Sequence, residues 1–299
     1  MINVQNLTKD YGEIEALKGI TFSVKQGSFF ALLGPNGAGK TTTARILSTL
    51  LSKTSGDVHI NGEMLTQDDA RIRRMIGIVF QQSTLDDMLS VKENLLLRGQ
   101  FYGLNKAAVL KRIDTLSEWM DFKDTLNQRV KTLSGGQRRK IDVARALINE
   151  PKILILDEPT TGLDPLTRRQ LWTVMTRVRK ETNMTIMLTT HYMEEVHDAD
   201  HVVIIDHGEI IAEDSAQHLR LKHAKNMLYI TPKDVSTIET LSKALDGTSV
   251  EGRIHVPLNH PFDALNIVRD NREAIESFEV LEGSMDDVFL NLTGRRFIP

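Results

Sequence analysis

Two acidic residues, Asp157 and Glu158, directly follow four consecutive branched apolar residues at positions 153–156. Such an unbroken apolar run predicts a strand that is buried on both faces of a sheet. Ionised carboxylates beside a buried strand are costly unless a cation or a hydrogen-bond donor lies near them. Because ligands of open α/β sheets bind beyond the carboxyl ends of the strands, this pair predicts a functional site at that edge.

A glycine-rich segment earlier in the chain predicts the ligand of that site. A strand predicted at 29–33 precedes it, and a helix predicted through about residue 51 follows it. The segment itself consists of Gly34, Pro35, Asn36, Gly37, Ala38, Gly39, Lys40, Thr41 and Thr42. This sequence and its strand–loop–helix context match the P-loop pattern, and argue against a glycine-rich turn with a chance lysine.

The P-loop pattern predicts binding of a nucleoside triphosphate with Mg²⁺. Backbone N–H groups and the helix N-terminus hold phosphate oxygens, Lys40 reaches the β- and γ-phosphates, and the Thr41 hydroxyl binds the metal. Asp157 then fits the acidic partner that holds Mg²⁺. Glu158 would face the γ-phosphate and orient or deprotonate the attacking water. A capping acid at a strand-to-turn junction is the alternative for Glu158.

A helical insertion is predicted between the P-loop and the Asp-Glu strand, over residues 91 to about 150. It should hold three or four helices, and its first helix should bury Leu95, Leu96, Phe101 and Tyr102 on one face.

A second glycine-rich turn stands near the end of this insertion and precedes a helix predicted at 138–148. It reads Leu133, Ser134, Gly135, Gly136, Gln137. Ser134 can cap the helix, and its hydroxyl with two free N–H groups can also bind an anion. Taken alone, a plain N-cap is the favoured interpretation.

In its order along the chain, the segment 133–137 resembles the signature loop of ATP-binding cassette (ABC) ATPases. Tyr11 is similar to the A-loop aromatic that stacks on adenine, and Gln81 to the Q-loop glutamine that touches Mg²⁺ and the membrane partner. Asp164, after Gly162 and Leu163, resembles the D-loop aspartate, and His191 the switch histidine near the γ-phosphate. Taken singly, these side chains could be a surface aromatic, a strand-end polar residue and a helix N-terminal histidine. The resemblance to the family covers about residues 1 to 222, and its motifs in this order are highly specific together.

The resemblance implies ATP and Mg²⁺ as ligands, with Glu158 and His191 catalytic and with Thr41, Gln81 and Asp157 at the metal. It also implies that Ser134, Gly135, Gly136, Gln137 and Asp164 contact nucleotide. Family ATPases hold two nucleotides in a head-to-tail dimer, each between one P-loop and the other chain's signature loop. The sequence has one of each, so two complete sites require two chains, as a homodimer or with a paired ATPase subunit.

Composition narrows the classes of function. The formal net charge is -3, which gives no sign of a chain-wide nucleic-acid surface. There are no cysteines, so disulfides and cysteine-ligated metals are excluded. The N-terminus lacks a signal-peptide pattern, and no stretch approaches the roughly 20 apolar residues of a membrane span.

The predicted fold is α/β: an ABC ATPase domain at 1–222, with a mixed sheet and a helical subdomain, and a small α+β domain at 226–299. The element order β-α-β-β-α-β in the second domain resembles a ferredoxin-like unit. This domain carries seven Lys and Arg against twelve Asp and Glu, which argues against a nucleic-acid partner.

The end of the chain, 283–295, is similar to the tail of ATPase subunits of drug- and antibiotic-export ABC systems. The resemblance therefore implies an ATPase at the cytoplasmic face of the membrane that drives separate transmembrane permease subunits and exports drugs, antibiotics or lipid-like compounds. Two alternatives stay open: an ABC ATPase acting on ribosomes or nucleic acid, and a regulatory nucleotide-binding module that hydrolyses poorly.

Overall fold

The computed structural model describes residues 1–66 and 69–294, apart from the side chain of Val235. The chain divides into two compact units, the first ending at Glu213 and the second starting at Asp214. No helix among the described residues is long and apolar enough to cross a membrane.

Within its described residues, the first unit contains an antiparallel sheet, a largely parallel sheet and six α-helices. Its elements are β1 (Ile2–Tyr11), β2 (Ile14–Val24), β3 (Phe29–Leu33), α1 (Lys40–Leu47), β4 (Ser55–Ile60), β5 (Glu63–Met64), α2 (Ala70–Met75), β6 (Ile76–Val79), α3 (Val91–Phe101), α4 (Lys106–Met120), α5 (Gly135–Leu147), β7 (Ile153–Asp157), α6 (Pro165–Thr182), β8 (Thr185–Thr190), β9 (His201–Asp206) and β10 (Glu209–Asp214).

The antiparallel sheet has the strand order β2-β1-β4-β5, and the second sheet the order β10-β9-β3-β8-β7-β6. In the second sheet, the adjacent pairs β9–β3, β3–β8, β8–β7 and β7–β6 are parallel. The apolar run of β7 is fully buried at its centre, because strands flank it on both sides and the faces are covered. The carboxyl ends of β3, β7 and β8 therefore meet at one edge of this sheet.

The insertion contains three α-helices, α3 to α5, with two short 3₁₀ turns at Lys123–Thr125 and Val130–Thr132. Two details of the prediction were wrong. Phe101 is 84% exposed, because it is the last residue of α3 and lies beyond the buried stripe. Helix α5 begins at Gly135 rather than 138, because Ser134 caps it, so the glycines form its first turn.

The helix after the P-loop is also shorter than predicted. It ends at Leu47, because Thr49 adopts a left-handed backbone with φ 64°, which stops the helical path before residue 51.

The second unit follows the predicted β-α-β-β-α-β order after a first helix. Its elements are α7 (Ala216–His223), β11 (Asn226–Pro232), α8 (Ile238–Ala244), β12 (Thr248–Val250), β13 (Arg253–Leu258), α9 (Asp263–Asp270), β14 (Ile275–Leu281) and α10 (Met285–Thr293). The strands form an antiparallel sheet in the order β12-β13-β11-β14. Helix α7, which the sequence places in the first domain, packs against α10 of the second unit. Residues 295–299 of the predicted second domain lie outside the described residues.

Candidate active site

The register of the parallel sheet places three chemically important chain segments side by side. Leu33, the last residue before the P-loop, pairs with Thr190 of β8, and Thr189 pairs with Asp157 of β7. The next residue after Thr190 is His191. The sheet therefore brings the P-loop, the Asp-Glu pair and His191 to the same edge, as the sequence predicts.

The P-loop is shaped by close backbone approaches that only glycine permits. Gly39 has φ 108°, and a Cβ there would lie 2.8 Å from the carbonyl oxygen of Ala16. A Cβ on Gly34 would lie 2.1 Å from the carbonyl oxygen of Ile205. These contacts seat the loop against β2 and β9, so its glycines are required for packing as well as for their backbone N–H groups.

Lys40 is buried and faces the acidic strand end. Its Nζ lies 3.2 Å from Oε1 of Glu158 and donates to the carbonyl oxygen of Pro35 at 3.0 Å. Burial lowers the pKa of Lys40, and the carboxylates of Glu158 and Asp157 act in the opposite direction. The cation that the buried strand end requires is therefore Lys40.

Asp157 binds two hydroxyl groups through one oxygen. Its Oδ1 accepts from Thr41 Oγ1 at 3.1 Å and from Thr189 Oγ1 at 2.6 Å. The direct contact between the Thr41 hydroxyl and this carboxylate fits the pair of oxygen ligands that a P-loop offers Mg²⁺. Within 1–66 and 69–294 no group of three His, Cys, Asp or Glu side chains could hold a metal ion.

Several polar side chains contact Glu158. Gln81 Nε2 donates to its Oε2 at 3.2 Å, and His191 Nδ1 lies 3.2 Å from the same oxygen. The His191 contact has the distance of an ion pair but not the geometry of a hydrogen bond. The buried Nδ1 therefore has no hydrogen-bond partner among the described residues. Glu158 also has a left-handed backbone, with φ 46°. Lys40, Gln81 and His191 thus all converge on one buried carboxylate.

The signature segment forms a separate part of the site. Ser134 accepts from the Gln137 N–H at 3.2 Å, and the Gln137 side chain accepts from the Ser134 N–H at 2.9 Å, which completes a capping box. Both side chains are exposed. In the described parts of the chain no hydrogen bond or ion pair joins this segment to the P-loop.

Asp164 lies beside the signature segment rather than at the P-loop. It caps α6 by accepting from the Thr167 N–H at 3.0 Å, and it also accepts from the Thr167 hydroxyl. The bond from the hydroxyl, followed by the bond from the N–H, holds the pKa of Asp164 below its ordinary value. A Cβ on Gly136 would lie 2.7 Å from Thr167 Cγ2. The starts of α5 and α6 are therefore packed together.

Tyr11 occupies the end of β1, in the antiparallel sheet, and is 46% exposed. The Nζ of Lys9 lies over the ring, 5.2 Å from its centroid. The ring is thus open to solvent, as a stacking surface for a base would need to be.

Sequence reasoning missed three buried polar residues that hold the catalytic segments. Thr189 binds Asp157, as described above. Glu195, whose pKa burial raises, accepts hydrogen bonds from Thr160 after β7 and from Thr190 before His191. Arg139 of α5 donates to backbone carbonyls around Glu158. Helical spacing places Arg139 on one face with Val143 and Ala146, a signal that it is buried.

Comparisons with known proteins agree with this geometry. The family profile described as "ABC transporter" matches residues 17–161. The chain is 36% identical to the doxorubicin resistance ATP-binding protein DrrA of Mycobacterium tuberculosis, with 98% of this chain and 93% of the relative covered. It is 36% identical to the Nod factor export ATP-binding protein I of Ralstonia nicotianae, with 99% and 94% covered.

Among solved structures, the chain resembles the ATP-binding cassette MJ0796, described as a dimer in a post-hydrolysis state bound to ADP and phosphate. The TM-score is 0.66 at 30% identity, and the match covers 72% of this chain and 98% of that one.

Proposed function

Because this chain belongs to the ABC transporter family as an ATP-hydrolysing subunit of the drug-export type, we propose that it powers export of drugs, antibiotics or lipid-like compounds through separate membrane-spanning subunits. Support for the cargo class comes from the names of the relatives, which refer to drug resistance and to Nod factor export. These relatives match nearly the whole length of the chain. The single observation that carries the site assignment is the convergence of Lys40, Gln81 and His191 on Glu158.

In this proposal each residue at the sheet edge has one task. The P-loop backbone and Lys40 bind the β- and γ-phosphates of ATP, and the Thr41 hydroxyl and Asp157 hold Mg²⁺ with Gln81 close by. Bound Mg²⁺ neutralises phosphate charge. Glu158 orients the attacking water and accepts its proton, and His191 lies where it can donate to the γ-phosphate.

The ion pair between Lys40 and Glu158 implies an order for ATP binding and hydrolysis. Lys40 cannot hold the γ-phosphate and remain fully paired with Glu158, because one compact ammonium group serves both. ATP binding therefore draws Lys40 toward phosphate and frees one carboxylate oxygen of Glu158 for water. In this way the base becomes available only when substrate is in place.

The signature segment acts in the second chain of a dimer. The segment 134–137 lies at the start of α5 and, among the described residues, has no hydrogen bond or ion pair to its own P-loop. Asp164 caps α6, whose first turn packs against the same segment. A head-to-tail pair of chains would complete each nucleotide site with the partner's segment. We place this dimer at the cytoplasmic face of the membrane, bound peripherally to the permease subunits.

A co-purification experiment tests the transport function. Affinity-tagged Glu158→Gln chain, produced in its native host, is recovered from detergent-solubilised membranes with ATP and Mg²⁺. We expect a multi-spanning membrane protein in stoichiometric amount. Recovery with ribosomes or nucleic acid and without a membrane protein would instead support the non-transport alternative.

A further inference from the structure

One turn of helix α5 contacts the chain on both sides of Gln81 as well as the turn that contains Glu158. The two residues responsible are Arg139 and Asp142, which are 6% and 5% exposed and lie three positions apart on one helix face. Neither belongs to the signature segment, and in the described part of the chain neither forms a hydrogen bond or an ion pair with Lys40 or Thr41.

Arg139 donates to three backbone carbonyls. Its Nη2 lies 3.2 Å from the carbonyl oxygen of Glu158, its Nε donates to the carbonyl of Pro159, and its Nη1 to that of Phe80. Phe80 is the residue before Gln81. A guanidinium group is suited to this task because its donors form a fixed planar fork, which fixes the three carbonyls relative to each other.

Asp142 holds the other side of the same loop. Its Oδ1 accepts from the Ser83 hydroxyl at 3.1 Å and from the Thr84 N–H at 3.3 Å. Its Oδ2 is buried without a hydrogen-bond partner among the described residues. The charge of Arg139 partly offsets the cost of burying this carboxylate, although burial still raises its pKa.

We propose that Arg139 is a positioning residue, which together with Asp142 fixes the Gln81 loop and the Glu158 turn to helix α5, the helix that Ser134 caps. If a partner chain displaces helix α5, the Gln81 loop and the Glu158 turn would then move with it, and so would the two side chains that face the γ-phosphate. The inference rests on the proposed function, because it assigns meaning to Glu158 and Gln81 as working groups.

The test measures kcat and ATP affinity of the full chain with Mg²⁺, in the natural sequence and in the Glu158→Gln background. In Arg139→Met the side-chain stem is kept and the three donors are lost, so we expect kcat to fall about tenfold to a hundredfold. The Kd for ATP should stay within about threefold, because Arg139 forms no hydrogen bond or ion pair with the P-loop in the parts of the chain that the structure describes. In the Glu158→Gln background the same substitution should lower kcat by less than about threefold, because the Glu158 carboxylate that Arg139 positions is already absent.

Arg179→Met is the matched control. Arg179 also donates to a backbone carbonyl, that of Gly27, at 3.0 Å, and it pairs with Asp200 away from the site. Equal kcat losses in Arg139→Met and Arg179→Met, or equal losses in both backgrounds, would overturn the inference, since a general loss of stability acts alike in all of them. Normal turnover in Glu158→Gln itself would instead overturn the proposed function.

Arg139→Lys keeps the charge and carries the test if the methionine variant does not fold. A single ammonium group cannot reproduce the fork. We expect a kcat loss of more than about threefold that again disappears in the Glu158→Gln background. Unchanged kcat in Arg139→Lys would show that charge alone is needed and would overturn the positioning role.

Discussion

Replacing Glu158 with glutamine should separate ATP binding from ATP hydrolysis. The amide cannot accept the proton of the attacking water, so turnover should fall by about 10²- to 10⁴-fold. The same change removes the negative charge 3.2 Å from Lys40. ATP then no longer competes with that carboxylate for the ammonium group.

The size of the second effect follows from the geometry of the pair. At 3.2 Å and an effective dielectric constant of about 20, the attraction is about 5 kcal/mol before desolvation is counted. Desolvation of two buried groups cancels much of this, and Asp157 still acts on Lys40 in the variant. We therefore expect the affinity for ATP to be retained or to rise by up to about tenfold, which corresponds to about 1.4 kcal/mol.

Equilibrium titration with ATP and Mg²⁺, steady-state hydrolysis and size-exclusion chromatography measure these quantities. The slowed variant should accumulate as an ATP-bound dimer. Glu209→Gln is the matched control, because its carboxylate pairs with Lys18 at 3.4 Å on the surface, and it should change neither quantity. A Glu158→Gln chain that stays monomeric, binds ATP more weakly and turns over normally would refute both the base role and the competition argument.

Three further expectations concern the two halves of the site. Lys40→Ala should weaken ATP binding and abolish hydrolysis, and a titration with unchanged affinity and turnover would remove Lys40 from the site. Ser134→Arg should also be inactive alone. Mixing it with Lys40→Ala should restore ATP-dependent dimerisation or hydrolysis, because a head-to-tail heterodimer of the two variants contains one intact site. As a control, wild-type chain mixed with each variant shows whether a single intact site is enough for activity. Gly136→Ala should lower the free energy of unfolding by about 1–3 kcal/mol, because its Cβ would press on Thr167. Gly135→Ala, which meets nothing within 4 Å, is the control, and equal denaturation midpoints would contradict this packing argument.

The sequence predicted the elements whose patterns are local and strong. The apolar run before Asp157, the P-loop and the capping turn at Ser134 each have a physical cause within about ten residues, and the structure has all three. Their meeting at one sheet edge also followed, because parallel strands place their carboxyl ends together.

What could not be predicted depended on contacts between distant segments. Arg139 stands in the basic run Arg138-Arg139-Lys140, and although its helical spacing indicates burial, only the packing of α5 on the carbonyls of Phe80 and Glu158 shows its role. The pairing of Lys40 with Glu158 was likewise invisible, because the sequence relates both side chains to a ligand and not to each other. Helix ends were misplaced where one backbone angle decided the matter, as at Thr49.

The left-handed backbone of Glu158 also bears on how this protein can change during evolution. In that conformation, backbone strain at a residue other than glycine or asparagine lowers the free energy of unfolding by about 1–3 kcal/mol. The buried pair with Lys40 adds the cost of desolvating two charged groups. Selection for thermal resistance alone would therefore favour replacing both residues, with smaller or apolar side chains that fit the turn more comfortably. The presence of both residues therefore indicates that stability is lower at this position than the fold would allow, in exchange for catalytic activity. Stabilised variants with substitutions at either position are expected to lose ATP hydrolysis first.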